Sequence, residues 1–386
     1  MAIDEACDLA RSGVRVSFLG AVAPVSDQLR TNGIRVVCLN QQELASAASD
    51  PKVAIAGLWN GSAYRAMRRL LEDCDRRGTI VHVHGFTQAL GASAIRCAVE
   101  SGVGVVCTLH DYFTVCPNGG LFNYGARRQC ELHPLSAQCI FTDCDKRNYI
   151  HKVYRVARTV IQQKYGLLPK GIKHYISLSD TSEAVLRKYL PHDSKFFRLQ
   201  NPINVPRRPP AAVAESNRLI VVGRLDPEKG IDVAVRAAEI SSHPITFVGG
   251  GPGEREARMS PFCDVTGWLP RERVVSEIAA ARCLLFPSLW KETYGLCVDE
   301  AAALGIPSIV SACTAAAERV EDGVTGWHAP PGDVDAWAEC ITRMADDLTV
   351  ARMGRAAYER FWETREDEAT RTEKLKHIYE EVLSRL

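Results

Sequence analysis

Along the chain, short runs rich in β-branched residues alternate with stretches of about 10–15 residues whose apolar positions recur at helical spacing. In the first half the strand-like runs are 14–20 (VRVSFLG), 34–39, 53–59 (VAIAGLW), 80–85 (IVHVHG), 103–110 (VGVVCTLH) and 174–179, with a helix predicted over 63–78. In the second half they are 218–225, 245–251, 283–288 and 307–312, with helices predicted at 230–240, 271–282, about 295–304 and 333–346. Such alternation builds parallel sheets with crossover helices. Between the halves, 201–217 carries Pro202, Pro206, Pro209 and Pro210 without periodicity and reads as a linker. The pattern predicts an α/β protein with two doubly wound, Rossmann-like domains facing a central cleft. Ligands of such sheets sit outside the carboxyl ends of the strands.

The opening segment departs from this pattern. DEACDLARSGVRVSFLG reads as a helix, a stop at Gly13 and a strand. The strand and glycine-rich turn that normally precede such a helix are absent. The expectation is an N-terminal domain whose first strand is missing, either through a truncated start or because the domain begins on a helix.

Composition narrows the class. A chain of 386 residues, 46% of them hydrophobic, can bury two cores. Its 47 basic and 46 acidic residues leave a net charge of +1, unlike the strongly basic face of a nucleic-acid binder. The acidic N-terminus lacks an apolar signal core, and no stretch approaches the ~20 apolar residues of a membrane span. Fourteen scattered cysteines then read as reduced thiols. The expected location is cytoplasmic.

Candidate chemistry begins at FPSLWKETYGLCVDEAAALG, where Glu292 and Glu300 stand eight residues apart. On one helix that spacing is ~12 Å. Glycosidases need carboxyls about 5–5.5 Å or about 6.5–9.5 Å apart, so a hydrolytic pair does not fit. A buried strand, a loop with Glu292 and a helix with Glu300 fit better, and the free amides of that helix start form an anion site. From spacing alone, a capping Glu292 and a solvated Glu300 explain the pair equally well. VVGRLDPEKGID adds Arg224 and Lys229 beyond a strand end, the fork and point charge that suit a diphosphate. Gly223 permits close backbone approach there, and Gly230 opens the next helix. The turn VGGGPGERE places Glu254 where a dinucleotide fingerprint needs its third glycine, so that fingerprint fails.

GRLDPEKG, VGGGPGE, FPSLWKETYGLCVDEAAALGIPSIVS and EDGVTGWHAPPGD occur in the order and spacing of the retaining glycosyltransferases of family 4, which this chain resembles throughout. In the N-terminal half the recognisable pieces are IVHVHG and CTLHDYF. The resemblance implies the GT-B fold, with residues 1–202 and 364–386 as the acceptor-side domain and crossover helix, and 203–363 as the donor domain. Glu292 and Glu300 match the E-x7-E hallmark. By the same resemblance, Arg224 and Lys229 bind the donor diphosphate, Glu292 the transferred sugar and Glu300 the ribose. Tyr294, Gly295 and Leu296 would meet sugar and phosphate through backbone amides, and Gly223 and Gly251 would line the donor site. Thr266 and Gly267 would flank the base. His110 would reach the donor sugar from the other domain, with Asp111 beside it on the acceptor side. By chemistry alone His110 is a strand-end histidine.

The implied activity is that of a hexosyltransferase, moving sugar with retention from a UDP-sugar or GDP-sugar to a glycan, lipid-linked or small acceptor hydroxyl, as in polysaccharide biosynthesis. A GT-B protein that binds nucleotide sugar without transfer, or a same-fold epimerase or phosphorylase, shares the same residues. No cofactor and no catalytic metal are expected. Asp333 of the DVD triplet reads as a helix cap, and the DCD triplet (143–145) lies in a cysteine-rich insert. That insert holds Cys116, Cys130, Cys139 and Cys144, four thiols that make a candidate structural zinc set or else separate buried thiols. Segment 146–175 is basic, with Ile150, Val153, Val156 and Val160 at helical spacing. It reads as a helix packed on the sheet, with peripheral contact at an anionic membrane as the alternative.

Overall fold

The computed structural model describes residues 1–44 and 50–386. The second half is built on a six-stranded sheet, all parallel, in the order Cys263–Gly267, Ile245–Val248, Leu219–Val222, Cys283–Phe286, Ser308–Ser311 and Gly326–Ala329. Its central strands are continuous apolar runs because helices cover both faces. Ile220, Phe247, Leu284 and Ile309 are fully buried. The helices Ile231–Ser241 and Val334–Arg343 pack together on one face, and Leu296–Ala303 packs against Asp347–Thr364. Strand order reverses between Leu219–Val222 and Cys283–Phe286. A crevice forms at such a switch point. The loops 223–230 and 287–295 meet there.

In the first half, four parallel strands run in the order Ile80–Val83, Gly104–Thr108, His174–Ser177 and Lys195–Arg198. Ser17–Gly20 and Arg35–Cys38 form a separate parallel pair. The helix Ala2–Arg11 precedes them, as the sequence suggested. The last helix, Glu368–Leu383, returns to this half, where Leu375, Ile378 and Val382 share a core with Leu9, Val106, Ile176 and Leu199.

Several expectations fail for local reasons. Residues 53–59 are not a strand but lie on the helix Pro51–Leu58 and its cap. Asp50 caps it through the Lys52 amide, and Pro51 takes the first-turn position that suits proline. The helix expected over 63–78 is Gly61–Leu71, capped by Asn60, and the polar residues 72–75 end it before a short 3-10 turn at Arg76–Gly78. The strands Lys195–Arg198 and Gly326–Ala329 and the small hairpin of Phe122–Asn123 with Arg128–Gln129 were not anticipated.

The helix Tyr149–Lys164 reverses the expected packing. Ile150 is 79% and Val153 50% exposed, whereas Lys152, Arg158, Thr159 and Gln162 are buried. Partners inside explain the inversion. Arg158 donates to the Thr87 carbonyl at 3.2 Å, and Lys152 Nζ approaches the Cys144 and Cys139 sulfurs at 3.1 and 3.6 Å. Val156 and Val160 are half-buried.

Candidate functional site

The strand Leu219–Val222 ends at Gly223, whose φ of +141° turns the chain so that Arg224 faces outward. The Arg224 side chain is 58% exposed, and its Nη1 lies 2.9 Å from Asp226 Oδ2. Asp226 is buried and is also held from the first half by Lys146 Nζ at 2.5 Å. The turn Pro227–Lys229 leads into Gly230, where φ is +67° and a Cβ would lie 2.1 Å from the Pro287 carbonyl oxygen. The two switch-point loops touch at this glycine. That contact brings Lys229 Nζ to 2.7 Å from Glu292 Oε1 and 5.4 Å from the Trp290 ring centre. Glu292 is buried, and its carbonyl accepts the Ala315 amide.

Gly295 opens the helix Leu296–Ala303, whose first amides face the same crevice end. Leu296 is partly exposed there. The Tyr294 side chain instead turns inward under the Arg319 guanidinium, 4.0 Å from its ring centre. Glu300 sits in the second turn, buried, with Oε1 2.8 Å from Arg271 Nη2. Burial pushes its carboxyl above the usual range, against the pull of Arg271. Thr266 and Gly267 close the edge strand, the Thr266 hydroxyl donating to the Gly267 carbonyl at 2.9 Å. Gly251 donates its amide to Glu254 Oε1 at 3.0 Å, so the glycine turn is closed by the residue that breaks the dinucleotide fingerprint.

His110 lies past the strand Gly104–Thr108. Its carbonyl accepts the Thr293 hydroxyl at 2.8 Å, and the Tyr112 hydroxyl donates to the Lys291 carbonyl at 2.6 Å. These two bonds fasten the strand end of the first half to the Glu292 loop of the second. Burial, then the neighbouring His84, push the His110 imidazole down to about 3, so the ring is neutral near pH 7. Asp111 is spent locally, accepting the Phe113 amide at 2.9 Å, and burial raises its carboxyl.

The sequence brought Arg224, Lys229 and Glu292 to notice, and the fold puts them at one crevice. It gave no notice of Arg271, Lys146 or Thr293, because each acts through a partner remote in sequence. The four cysteines do not come together as the candidate zinc set and match the reading of separate thiols. Among the described residues, no three of them come within reach of one ion, and the Lys152 ammonium stands against two of them. A buried cation there opposes a second one. The described His, Cys, Asp and Glu groups close enough to share an ion reduce to Glu5, His82 and His84, where Arg371 already neutralises Glu5. Asp333 caps Val334–Arg343 through the Ala336 amide, and Asp145 pairs with Arg155 at 3.1 Å.

Residues 216–347 match the family model described as Glycosyl transferases group 1. Over this third of the chain the sequence is similar to a glycosyltransferase group 1 domain. The matched segment contains Arg224, Lys229, Glu292 and Glu300. The chain is 32% identical to the D-inositol 3-phosphate glycosyltransferase of Kribbella flavida over 163 residues, 36% of this chain and 38% of that protein. It is 28% identical to the amylovoran biosynthesis glycosyltransferase AmsK of Erwinia amylovora over 169 residues, 38% of this chain and 42% of the other. The chain thus matches less than half the length of these curated relatives. The structure of Anabaena HepE in complex with UDP and glucose superposes with a TM-score of 0.64 at 18% identity, covering 100% of this chain and 95% of that one. The fold of the chain is GT-B.

Proposed function

We propose that the protein is a retaining hexosyltransferase that moves a sugar from a nucleotide diphosphate to an acceptor hydroxyl. The observation that carries this reading is the Lys229–Glu292 pair at the switch-point crevice, beside exposed Arg224 and the helix start at Gly295. The donor diphosphate lies at the helix amides, with Arg224 and Lys229 neutralising the charge that grows on the leaving group. Preorganised electrostatics of this kind is usually the largest catalytic contribution. Glu292 orients Lys229 and accepts from sugar hydroxyls, and Glu300, steadied by Arg271, accepts from the ribose. Tyr294, Gly295 and Leu296 contribute backbone, Thr266 and Gly267 border the base, and Gly223 and Gly251 line the approach. As the resemblance to the retaining family implies, transfer proceeds on one face, the diphosphate oxygen taking the acceptor proton.

A UDP-sugar is the favoured donor, in line with the UDP and glucose bound by Anabaena HepE, and a glycan acceptor accords with the amylovoran biosynthesis relative. No described helix is long and apolar enough to cross a membrane. We place the acceptor side at a membrane surface facing the cytoplasm. There the exposed Phe141, Tyr149, Ile150 and Val153, flanked by basic residues, contact anionic lipid. Incubation with UDP-glucose or GDP-mannose and a panel of glycan and lipid acceptors tests the reaction. Release of nucleotide diphosphate with an α-linked product supports it, and a β-linked product removes the retaining mechanism.

A further inference from the structure

A buried line of polar groups runs from the first helix to His110, and the proposed chemistry leaves it unused. Glu5 is 3% exposed, and its Oε2 is held by Arg371 Nη2 at 2.5 Å. Arg371 is itself fixed through Nε to the Gln200 carbonyl at 2.9 Å. The other Glu5 oxygen, Oε1, lies 2.9 Å from His82 Nδ1 and 3.3 Å from His84 Nε2. His84 Nδ1 lies 2.9 Å from His110 Nε2, and the two rings stack with centres 5.2 Å apart. His82 is occupied on both sides, by the Tyr379 hydroxyl and by Thr108 Oγ1, each at 2.7 Å. The groups around His84 are therefore Glu5, His82 and His110.

An ionised carboxylate only accepts hydrogen bonds, and each neutral imidazole carries one donor and one acceptor. Glu5 Oε1 makes no hydrogen bond of good geometry, but its charge lies within 3.3 Å of both rings. Burial raises the Glu5 carboxyl, and the attraction of the two histidines outweighs it and holds the group well below the usual range. The carboxylate draws the His84 proton to Nε2. The Nδ1 of His84 is then a lone pair, and only a proton on His110 Nε2 satisfies it. His110 Nδ1 remains as an acceptor, with no hydrogen-bond partner in the protein among the described residues. We propose that Glu5, acting through His84, fixes His110 as the Nε2–H tautomer, so that Nδ1 accepts a hydrogen bond from a donor-sugar hydroxyl. Glu5 and His84 are positioning residues, and the inference rests on the reading of His110 as a sugar contact. It explains why two helices distant in sequence converge behind this strand end. Ala2–Arg11 supplies the carboxylate, and Glu368–Leu383 supplies the arginine and the tyrosine.

The test is long-range proton–nitrogen NMR of the full chain labelled with 15N-histidine, without ligand, with His110 assigned through a His110→Gln variant. The expected result is a neutral His110 protonated at Nε2. In Glu5→Gln, whose amide both donates and accepts, the His110 nitrogens should move towards the other tautomer, and Glu5→Asp should restore the native pattern. A His110 protonated at Nδ1 in the native protein overturns the proposal, whether or not any variant folds. So does an unaltered tautomer in a folded Glu5→Gln protein. Calorimetric titration with UDP on the same samples separates the two ideas. Failure to bind UDP counts against the nucleotide site and leaves the tautomer result standing.

Discussion

Lys229 Nζ and Glu292 Oε1 stand 2.7 Å apart across the switch point, although 63 residues separate them in the chain. Both side chains are largely buried, so each charge offsets the cost of taking the other out of water. The pair holds an ammonium in place before any donor arrives. Lys229→Met should therefore lower UDP affinity by about 10–100-fold, a range typical of losing a charge-assisted contact. Glu292→Ala should change bare UDP binding far less, while erasing the preference for a UDP-sugar over UDP. Calorimetric titration of both ligands into each variant checks the split.

Glu300 and Arg271 make the second testable pair. If Glu300 accepts from the ribose, native protein should prefer UDP over its 2′- or 3′-deoxy analogues by about tenfold, the worth of one buried hydrogen bond. Glu300→Gln should narrow that ratio, and Arg271→Ala should weaken UDP with less effect on it. A ratio unchanged in Glu300→Gln removes the ribose role.

Two glycines in the same loop should behave differently. At Gly230 a Cβ would strike the Pro287 carbonyl at 2.1 Å in addition to the strained backbone, so Gly230→Ala should cost more than about 3 kcal/mol. At Gly223 nothing lies within 4 Å of the added carbon, and only the φ of +141° opposes it. Gly223→Ala should cost about 1–3 kcal/mol. Urea unfolding of the two variants distinguishes clash from strain.

Much of this site was legible in the sequence because it rests on glycine, charge and strand-end spacing within short segments. Arg224, Lys229 and Glu292 sit in loops, and Glu300 one turn into the helix that follows, all with local geometry. What the sequence hid was decided by distant partners. The apolar positions Ile150 and Val153 were read as a buried face, yet Lys152 and Arg158 found partners inside and turned the helix over. Residues 53–59 looked like a strand because a short apolar run does not distinguish strand from helix, and the Asp50–Pro51 cap decided it. His84 gave no signal beyond a histidine in an apolar run, since its partners Glu5 and His110 lie far away in sequence.

Acid should destabilise the protein through its buried histidines. Burial pushes His110 down to about 3 and lowers His82, from about 6.5 when unfolded. Both are neutral in both states above that value, so their contribution is intact there. As pH falls below about 6.5 the unfolded chain binds protons that the native state refuses, and stability drops. At pH 5 the loss from one such group is about 1–2 kcal/mol. Thermal melts from pH 8 to 5 should show a falling midpoint, with a smaller fall in His110→Gln.

The exposed stripe on Tyr149–Lys164 predicts a change of behaviour without a change of stability. Ile150→Ser with Val153→Ser should alter folding free energy by no more than about 0.5 kcal/mol per site, as for other exposed positions. The double variant should lose sedimentation with vesicles rich in phosphatidylglycerol. Native protein that stays in the supernatant removes the membrane contact.

The central claim is a nucleotide-diphosphate site at the crevice between 223–230 and 287–300. A melt of the full chain against UDP, GDP and their sugars tests it most directly. A ligand at 100 times its dissociation constant should add about 2.7 kcal/mol and raise the midpoint, and Arg224→Ala should abolish that rise. A midpoint indifferent to every nucleotide at millimolar concentration, or an equal rise in Arg224→Ala, would contradict the account.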